Sequence, residues 1–391
     1  MYLSTPTYCA LLSILLPSLS HCSVLTVKES VQVRTALGTV EGRKVCINDL
    51  CANQFLGVPY AKPPLGNLRF KKPVPVDPWD GILPAESPPI PCIQLIYNRT
   101  ATLQSEDCLF LNILTPANIT ISYPVIIWIH GGGFQMGHSM EYPISGIIRN
   151  LVSRGLIIVT VQYRLGLYGF FTTSNGEVPE NLALWDILES LKWARKHISR
   201  FGGNQSRIIL NGESAGSALV SALAISEIAQ DYFDGTIQQS GSIFAKWALT
   251  NKSAESSKFI LNQSGCAASE NRIQCLQYLP VEILNDLQQL MMCESETKTP
   301  LDVDDFLHWT PIVDNVIIFE PQTHTGVLQK PAIIGLCTDE AITIGSHHSL
   351  DTTYLTLFDT GNDWFSFTWN DDDYRISAVF GTIWSNFAYN R

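Results

Sequence analysis

The sequence predicts an α/β protein built around a mostly parallel sheet. Short, largely apolar runs typical of buried parallel strands recur along the chain, and helix-compatible segments lie between them. One of these runs passes directly into a glycine-flanked turn and then a helical segment. Strands that alternate with helices favour a parallel sheet, with ligands bound at the carboxyl ends of the strands. The predicted strands are 125–129, 156–161, 208–210, 236–238 and 332–335.

The predicted helices differ in the faces that they bury. Residues 181–198 carry leucines at helical spacing on one face, and 215–225 is rich in small residues. The polar segment 252–300 is interpreted as a helical excursion over the sheet rather than a separate domain. A final helix at 371–389 is expected to pack at the far edge of the sheet. Its predicted apolar stripe consists of Ile376, Val379, Phe380, Ile383, Trp384 and Phe387.

Composition restricts the class of protein. The chain has 391 residues, of which 46% are hydrophobic, enough for one large core. The net charge of −11 without a basic cluster argues against nucleic-acid binding. An apolar run at 9–19 followed by small residues predicts a secretory signal peptide over 1–22, and 23–391 is then one domain. No other segment is long enough to be a transmembrane segment, so we expect a secreted or secretory-lumen protein.

The most informative motif is G-x-S-x-G at 212–216, between a predicted strand and a predicted helix. In the nucleophile elbow this pattern presents a serine at the tip of a sharp turn, and side chains at the two glycines would collide with neighbouring elements. Ser214 is therefore the candidate nucleophile. The pentapeptide alone can arise by chance, and its strand–serine–helix context is what supports the assignment.

A glycine-rich loop follows the predicted strand 125–129 and reads His-Gly-Gly-Gly-Phe at 130–134. Loops of this kind supply backbone N–H groups to an oxyanion hole, because glycine lets amides rather than side chains face the reacting carbonyl. The candidate donors are the amides of Gly132, Gly133 and Ala215.

Further blocks resemble the type-B carboxylesterases, a family that includes the cholinesterases and neuroligin-like adhesion proteins. The blocks are GVPYAKPP at 57–64, LRF at 68–70, SEDCLFLN at 105–112, YRLG at 163–166, FGGN at 201–204 and QSG at 239–241. The resemblance implies an α/β-hydrolase fold and hydrolysis of a small-molecule carboxylic ester through an acyl-enzyme. It implies neither a metal nor an organic cofactor, and it leaves the oligomeric state open.

The resemblance also implies a carboxylate and a histidine that follow the serine along the chain. The block PAIIGLCTDE at 331–340 assigns the acid to Glu340, with Asp339 as the alternative. Only His347 and His348 follow Glu340, and His348 has the family's spacing to a tyrosine, Tyr354. Either histidine, or neither, remains open as the base.

The spacing after Glu340 departs from the family pattern. Six residues separate Glu340 from His347, too few for the further strand that the family has there. The end of the chain nevertheless resembles the family's C-terminal block, so we expect an internal deletion after Glu340, a shortened C-terminus and an incomplete C-terminal part of the fold. The alternatives to an active esterase are a catalytically impaired isoform, an adhesion or binding protein of the same fold, and a faulty gene model.

Cysteines and glycosylation sequons are typical of the secretory pathway. The resemblance pairs Cys92 with Cys108 and Cys266 with Cys275. Cys46 and Cys51 are close enough for a hairpin bridge, whereas Cys293 and Cys337 stay unassigned. The candidate glycosylation sites are Asn98, Asn118, Asn204, Asn251 and Asn262.

The segment between Cys92 and Cys108 bears on the substrate. Cholinesterases carry a tryptophan in this first disulfide loop, on which a quaternary ammonium stacks. Here Tyr97 is the sole aromatic residue of the segment. The sequence therefore predicts a general carboxylesterase rather than a choline-ester specialist.

Overall fold

The computed structural model describes residues 25–94, 103–296, 307–319, 330–336 and 371–390. Within these residues ten strands form one sheet, in the order β1-β2-β3-β5-β7-β6-β8-β9-β10, and β4 pairs with β2. The strands are β1 Leu25–Arg34, β2 Thr39–Ile47, β3 Leu50–Pro59, β4 Ile82–Pro84, β5 Phe110–Pro116, β6 Tyr123–Ile129, β7 Ile157–Val161, β8 Gly203–Glu213, β9 Gly235–Gln239 and β10 Ala332–Gly335.

The half of the sheet from β7 to β10 is parallel throughout. Every residue of β6 and of β7 is buried, which explains why both strands are apolar runs without alternation. All five predicted strands are confirmed, with β8 extending beyond its predicted apolar run at both ends. The carboxyl ends of β6, β8 and β9 therefore meet at one edge of the sheet.

The other half of the sheet is antiparallel and was not predicted. Strands β1, β2, β3 and β5 pair in an antiparallel arrangement, and β5 joins this half to β7. Most of β1 is solvent-exposed on both faces, so it lacks the alternation by which a strand is recognised. This half extends the sheet away from the candidate site.

Helices cover both faces of the sheet. They are α1 Ile144–Asn150, α2 Gly166–Phe170, α3 Leu182–His197, α4 Ala215–Ile225, α5 Lys252–Gln263, α6 Arg272–Tyr278, α7 Val281–Glu296 and α8 Asp371–Tyr389. The larger core lies under α3 to α7, and a second core lies under α1 and α8. The helical excursion after residue 252 is confirmed as far as Glu296, and its apolar side chains belong to the larger core.

The placement of α8 corrects the sequence prediction. The helix lies over the central strands β6 and β8 and against α1, not at the far edge of the sheet. Trp384 is 3% exposed and its ring centroid is 5.6 Å from that of Trp128. Val379 and Ile383, predicted to belong to the buried stripe, are 57% and 47% exposed. On the face that meets α1, a methyl group on Gly381 would lie 2.6 Å from the Asn150 carbonyl oxygen, so the helix approaches α1 closely there.

A buried ion pair fixes the start of α3 to the strand connection after β7. The Arg164 guanidinium donates two hydrogen bonds, of 2.7 and 2.6 Å, to the Asp186 carboxylate. A third donor of Arg164 reaches the Lys71 carbonyl at 2.9 Å. Burial raises the pKa of Asp186, and the Arg164 charge opposes that shift. Removing either partner would leave an uncompensated buried charge.

Candidate active site

Ser214 forms a sharp turn between the end of β8 and the start of α4. Its backbone has φ 54° and ψ −124°, a conformation that non-glycine residues seldom adopt. Its N–H donates to the Gln239 carbonyl at 2.8 Å. A methyl group on Gly216 would collide with the backbone after β6, and one on Gly241 would collide with the Ser214 carbonyl. A methyl group on Gly212 would lie 2.4 Å from the Gly216 carbonyl oxygen. Both glycines of the G-x-S-x-G motif are thus required by close backbone approach, as the motif predicts.

A second strained serine lies at the end of the neighbouring strand. Ser240 follows β9 with φ 52°, and its N–H donates to the Gly335 carbonyl of β10 at 2.8 Å. Ser240 is 5% exposed, and its hydroxyl has no hydrogen-bond partner among the residues that the structure describes. The two serine turns therefore lie side by side, each bonded to the strand beyond it.

Residues 130–137, which we call the glycine loop, connect β6 to the turns before α1. Gly132 and Gly133 have φ values of 100° and 59°, which glycine adopts without steric cost. The amides of Gln135 and Met136 both donate to the Gly132 carbonyl, at 3.1 and 3.0 Å. A methyl group added to Gly131 would lie 3.0 Å from Ser214 Cβ. The glycine loop is therefore packed directly against the serine turn.

The backbone around Ser214 determines which chemistry this site can support. The first N–H groups of an α-helix have no intrahelical acceptor, and Ala215 is the first residue of α4. The positive end of the helix dipole favours negative charge at the same place. A serine hydroxyl, a helix N-terminus and a glycine-rich loop in contact form an arrangement suited to acyl transfer.

His130, at the base of the glycine loop, is neutral at physiological pH. It is 2% exposed, its ring centroid is 4.5 Å from that of Tyr163, and its Nδ1 lies 2.9 Å from the Gly131 carbonyl. Burial lowers the pKa of His130 to about 4, and the neighbouring His138 adds to this effect. The Tyr163 hydroxyl donates to the His130 carbonyl at 2.7 Å. His130 therefore acts as an uncharged support for the loop.

Several predicted residues lie outside the described part of the chain. These are Glu340, Asp339, His347, His348, Asn98, Cys337 and the segment 1–22. Among the described residues, no group of three His, Cys, Asp or Glu side chains is arranged to hold a metal ion. In the same residues we find no helix with the length and apolarity needed to span a bilayer.

Three disulfides are present among the described residues. They join Cys46 to Cys51, Cys92 to Cys108 and Cys266 to Cys275, with S–S distances of 2.07, 2.09 and 2.00 Å. Cys293 carries an exposed free thiol.

Four of the candidate glycosylation residues are described. Asn118, Asn251 and Asn262 are exposed. Asn204 is half-buried, and its side chain accepts a hydrogen bond of 2.9 Å from the Ser206 amide.

Sequence reasoning missed two residues beside the site. The Glu213 carboxylate, which is 5% exposed, lies 2.7 Å from where a methyl group on Gly131 would sit. Gln94 bonds to Gly137 at the end of the glycine loop. The variable position of the G-x-S-x-G motif could have identified Glu213, but no local pattern marks Gln94.

Comparison with known proteins agrees with this geometry. A profile described as the carboxylesterase family matches residues 29–352. Carboxylesterase 5A of Mus musculus is 41% identical over 231 residues, covering 55% of this chain and 40% of that protein. Liver carboxylesterase 1F of Rattus norvegicus is 33% identical over 351 residues, covering 83% of this chain and 62% of that protein.

A solved structure titled PNB esterase superposes with a TM-score of 0.78 at 22% identity, covering 92% of this chain and 90% of that one. It shows the shared α/β-hydrolase fold. The chain spans about half the length of the curated relatives that it matches, between 40% and 62% for the two named above. Because the family profile covers most of the sequence, this chain belongs to the carboxylesterase family.

Proposed function

We propose that this chain is a secreted serine carboxylesterase that hydrolyses carboxylic esters through an acyl-enzyme on Ser214. The observation that carries the proposal is the contact between the serine turn and the glycine loop. Ser214 has a strained backbone conformation and is closely packed against Gly131 and Gly241, and such strain is typical of functional positions. Membership of the carboxylesterase family supports the same reaction class.

In the first step the Ser214 hydroxyl attacks the ester carbonyl, and the carbonyl oxygen becomes an oxyanion. The amides of Gly132, Gly133 and Ala215 donate hydrogen bonds to that oxygen. These donors are fixed before the reaction, so they need no reorganisation when the charge develops. The alcohol then leaves, and water hydrolyses the acyl-enzyme to restore Ser214.

A general base must take the Ser214 proton, and the family resemblance assigns this role to His348, oriented by Glu340. His130 does not serve, because it is buried and its side chain is already engaged at the Gly131 carbonyl. Few residues separate Glu340 from His348, so we expect a low turnover. The alternative function is that of an impaired esterase-like isoform or a binding protein of the same fold.

Covalent labelling tests the nucleophile. An uncharged fluorophosphonate should form an adduct on Ser214 in the folded protein, as read by mass spectrometry of the serine peptide. Ser214→Ala should abolish the adduct. Ser226→Ala is the matched control, because Ser226 lies at the opposite end of α4 and its buried hydroxyl has no partner among the described residues. An adduct elsewhere, or none on folded protein, would sink the esterase proposal in favour of a binding protein.

The rate of ester hydrolysis that remains in a histidine variant tests the identity of the general base. Removing a triad member typically costs several powers of ten in turnover, while the oxyanion donors leave a remainder. We expect His348→Ala to lower hydrolysis of a short p-nitrophenyl ester below the already weak rate of the parent chain. An unchanged rate would remove His348 from the mechanism without affecting the assignment of Ser214.

Secretion is supported by the apolar N-terminal segment, the disulfides and the exposed sequons. Expression of the full chain in a mammalian secretory cell line should deliver protein to the medium, with its N-terminus near residue 23. Glycosidase treatment should then lower its apparent mass. Retention of an unprocessed, unglycosylated chain in the cytosol would refute this part of the proposal.

A further inference from the structure

We propose that Gln94 is a positioning residue whose side-chain amide clamps the backbone of Gly137 and so holds the glycine loop against Ser214. The inference rests on the proposed function, since it assigns the loop amides to the oxyanion. Gln94 itself touches neither the substrate nor the nucleophile. It acts through the loop.

The clamp consists of a pair of opposed hydrogen bonds. The Gly137 N–H donates to Gln94 Oε1 at 3.0 Å, and Gln94 Nε2 donates to the Gly137 carbonyl at 3.2 Å. The second Nε2 hydrogen is engaged by the Cys92 carbonyl at 3.2 Å. Both amide hydrogens and the amide oxygen of Gln94 are therefore used, and the side chain has one orientation that satisfies all three bonds.

Hydrogen bonds to Gly137 restrain the whole glycine loop, because Gly137 packs against the start of that loop. Its φ is 107°, and a methyl group there would lie 2.5 Å from His130 Nδ1 and 2.8 Å from the Gly131 carbonyl. The last residue of the loop thus packs against its first two residues. Because Gly131 in turn lies against Ser214, the position of Gly137 fixes both ends of the segment that carries Gly132 and Gly133.

The other end of the clamp is anchored in a rigid part of the molecule. Gln94 lies two residues from Cys92, which is 2% exposed and bonded to the fully buried Cys108. The backbone N–H of Gln94 also donates to Gln104 Oε1 at 3.1 Å. The glycine loop is therefore held to the first disulfide loop, 43 residues earlier in the chain.

The test compares Gln94→Met, Gln94→Glu and wild type in the full chain. Methionine has a similar length but no amide, whereas glutamate keeps the acceptor for the Gly137 N–H and loses both donors. The readouts are the second-order rate constant for phosphonylation of Ser214, the urea midpoint, and hydrogen exchange of peptides that contain Gly137. An oxyanion also develops during phosphonylation, so this rate reports on the loop amides.

We expect Gln94→Met to lower the phosphonylation rate about 10- to 100-fold, as for a small misplacement of catalytic donors. Gln94→Glu should also lower the rate, because a carboxylate oxygen would face the carbonyls of Cys92 and Gly137 where Gln94 Nε2 now donates. Exchange at Gly137 should accelerate in Gln94→Met, because its amide loses its acceptor.

Gln230→Met is the matched control. The Gln230 amide bonds to the carbonyls of Leu223, Ala224 and Ser226 at the far end of α4, about 16 Å along the helix from Ser214. It should lower the urea midpoint while leaving the phosphonylation rate within about twofold.

Two results would overturn the clamp. One is a wild-type rate in Gln94→Met. The other is an equal loss of rate in Gln230→Met, which would mean that global destabilisation explains both. If wild-type protein does not react at Ser214, the proposed function fails separately. The clamp is then judged by exchange alone, and unchanged exchange at Gly137 in Gln94→Met would reject it.

Discussion

The buried imidazole of His130 should make the stability of this protein depend on pH, and His130→Phe should remove that dependence. His130 has an ordinary pKa of 6.5 when unfolded and a pKa of about 4 in the folded protein. Between these values the unfolded chain binds a proton that the folded chain does not. The stabilisation is therefore complete above pH 6.5 and is lost as the pH falls towards 4.

The magnitude follows from the shift. A depression of about 2.5 pKa units, at about 1.4 kcal/mol per unit, corresponds to about 3 kcal/mol of unfolding free energy between pH 7 and pH 4. Phenylalanine retains a ring to stack on Tyr163 but has no titrating group and loses the contact of Nδ1 with the Gly131 carbonyl. At pH 7 the variant should be about 1 kcal/mol less stable than wild type, the usual net value of one hydrogen bond. At pH 4 it should be the more stable of the two.

Urea unfolding at a series of pH values, followed by tryptophan fluorescence, measures this difference. Other groups, including His138 and His197, also titrate in the window, so the difference between the two proteins is the informative quantity. Tyr163→Phe is the control, because it removes a hydroxyl that donates to the His130 carbonyl but that does not titrate between pH 4 and pH 7. Tyr163→Phe should change the free energy of unfolding by the same amount at every pH, so the slope of stability against pH stays that of wild type. Parallel curves for wild type and His130→Phe would refute the reasoning.

Three further predictions, each with its own comparison variant, concern the packing of the site and the fold. Gly241→Ala should lower phosphonylation of Ser214 about 100-fold, because the added methyl collides with the Ser214 carbonyl. Gly335→Ala, whose added methyl would have no atom of the described residues within 4 Å, should leave the rate unchanged. Equal rates for Gly241→Ala and Gly335→Ala would contradict this prediction. Arg164→Met should cost about 3–5 kcal/mol in urea unfolding by leaving Asp186 unpaired. Adding Asp186→Leu should recover part of that loss, and no recovery would argue against the ion pair as the cause. Trp384→Ala should cost about 3–5 kcal/mol, whereas Val379→Ala should stay within about 0.5 kcal/mol. A larger loss of stability in Val379→Ala than in Trp384→Ala would mean that Val379 is buried, as the sequence predicts.

The part of the fold that could be predicted is the part in which local sequence determines local structure. Strands β6 and β7 are buried on both faces, so their apolar character is continuous and visible. The serine turn was predictable because its glycines are required by backbone contacts within a few residues and with the next strand. Strand β1 was not, since its exposed side chains carry no period. The single domain over 23–391 and the signal peptide stay predictions.

The features that could not be predicted from the sequence depend on tertiary contacts. The predicted stripe on α8 is confirmed for Phe380, Trp384 and Phe387, which belong to the second core, and is wrong for Val379 and Ile383, which are exposed. Periodicity marks apolar residues but not which neighbour each one meets. The Gln94 contact joins a side chain to a backbone 43 residues away, and neither partner has a distinctive local context. The catalytic roles of Glu340 and His348 stay predictions from resemblance.

The paired serine turns link Ser214, the proposed nucleophile, to the last strand in the described part of the sheet. The Ser214 amide is bonded to the Gln239 carbonyl, and the next turn along, at Ser240, is bonded to Gly335 of β10. These bonds act in series, so a local opening of β10 would free the Ser240 turn and then loosen the carbonyl that restrains Ser214. β10 has only four residues, and Ile334 within it is 58% exposed, features of a segment with a low opening free energy. The stability of β10, a strand that holds none of the proposed catalytic groups, is therefore expected to affect how firmly the backbone of Ser214 is restrained.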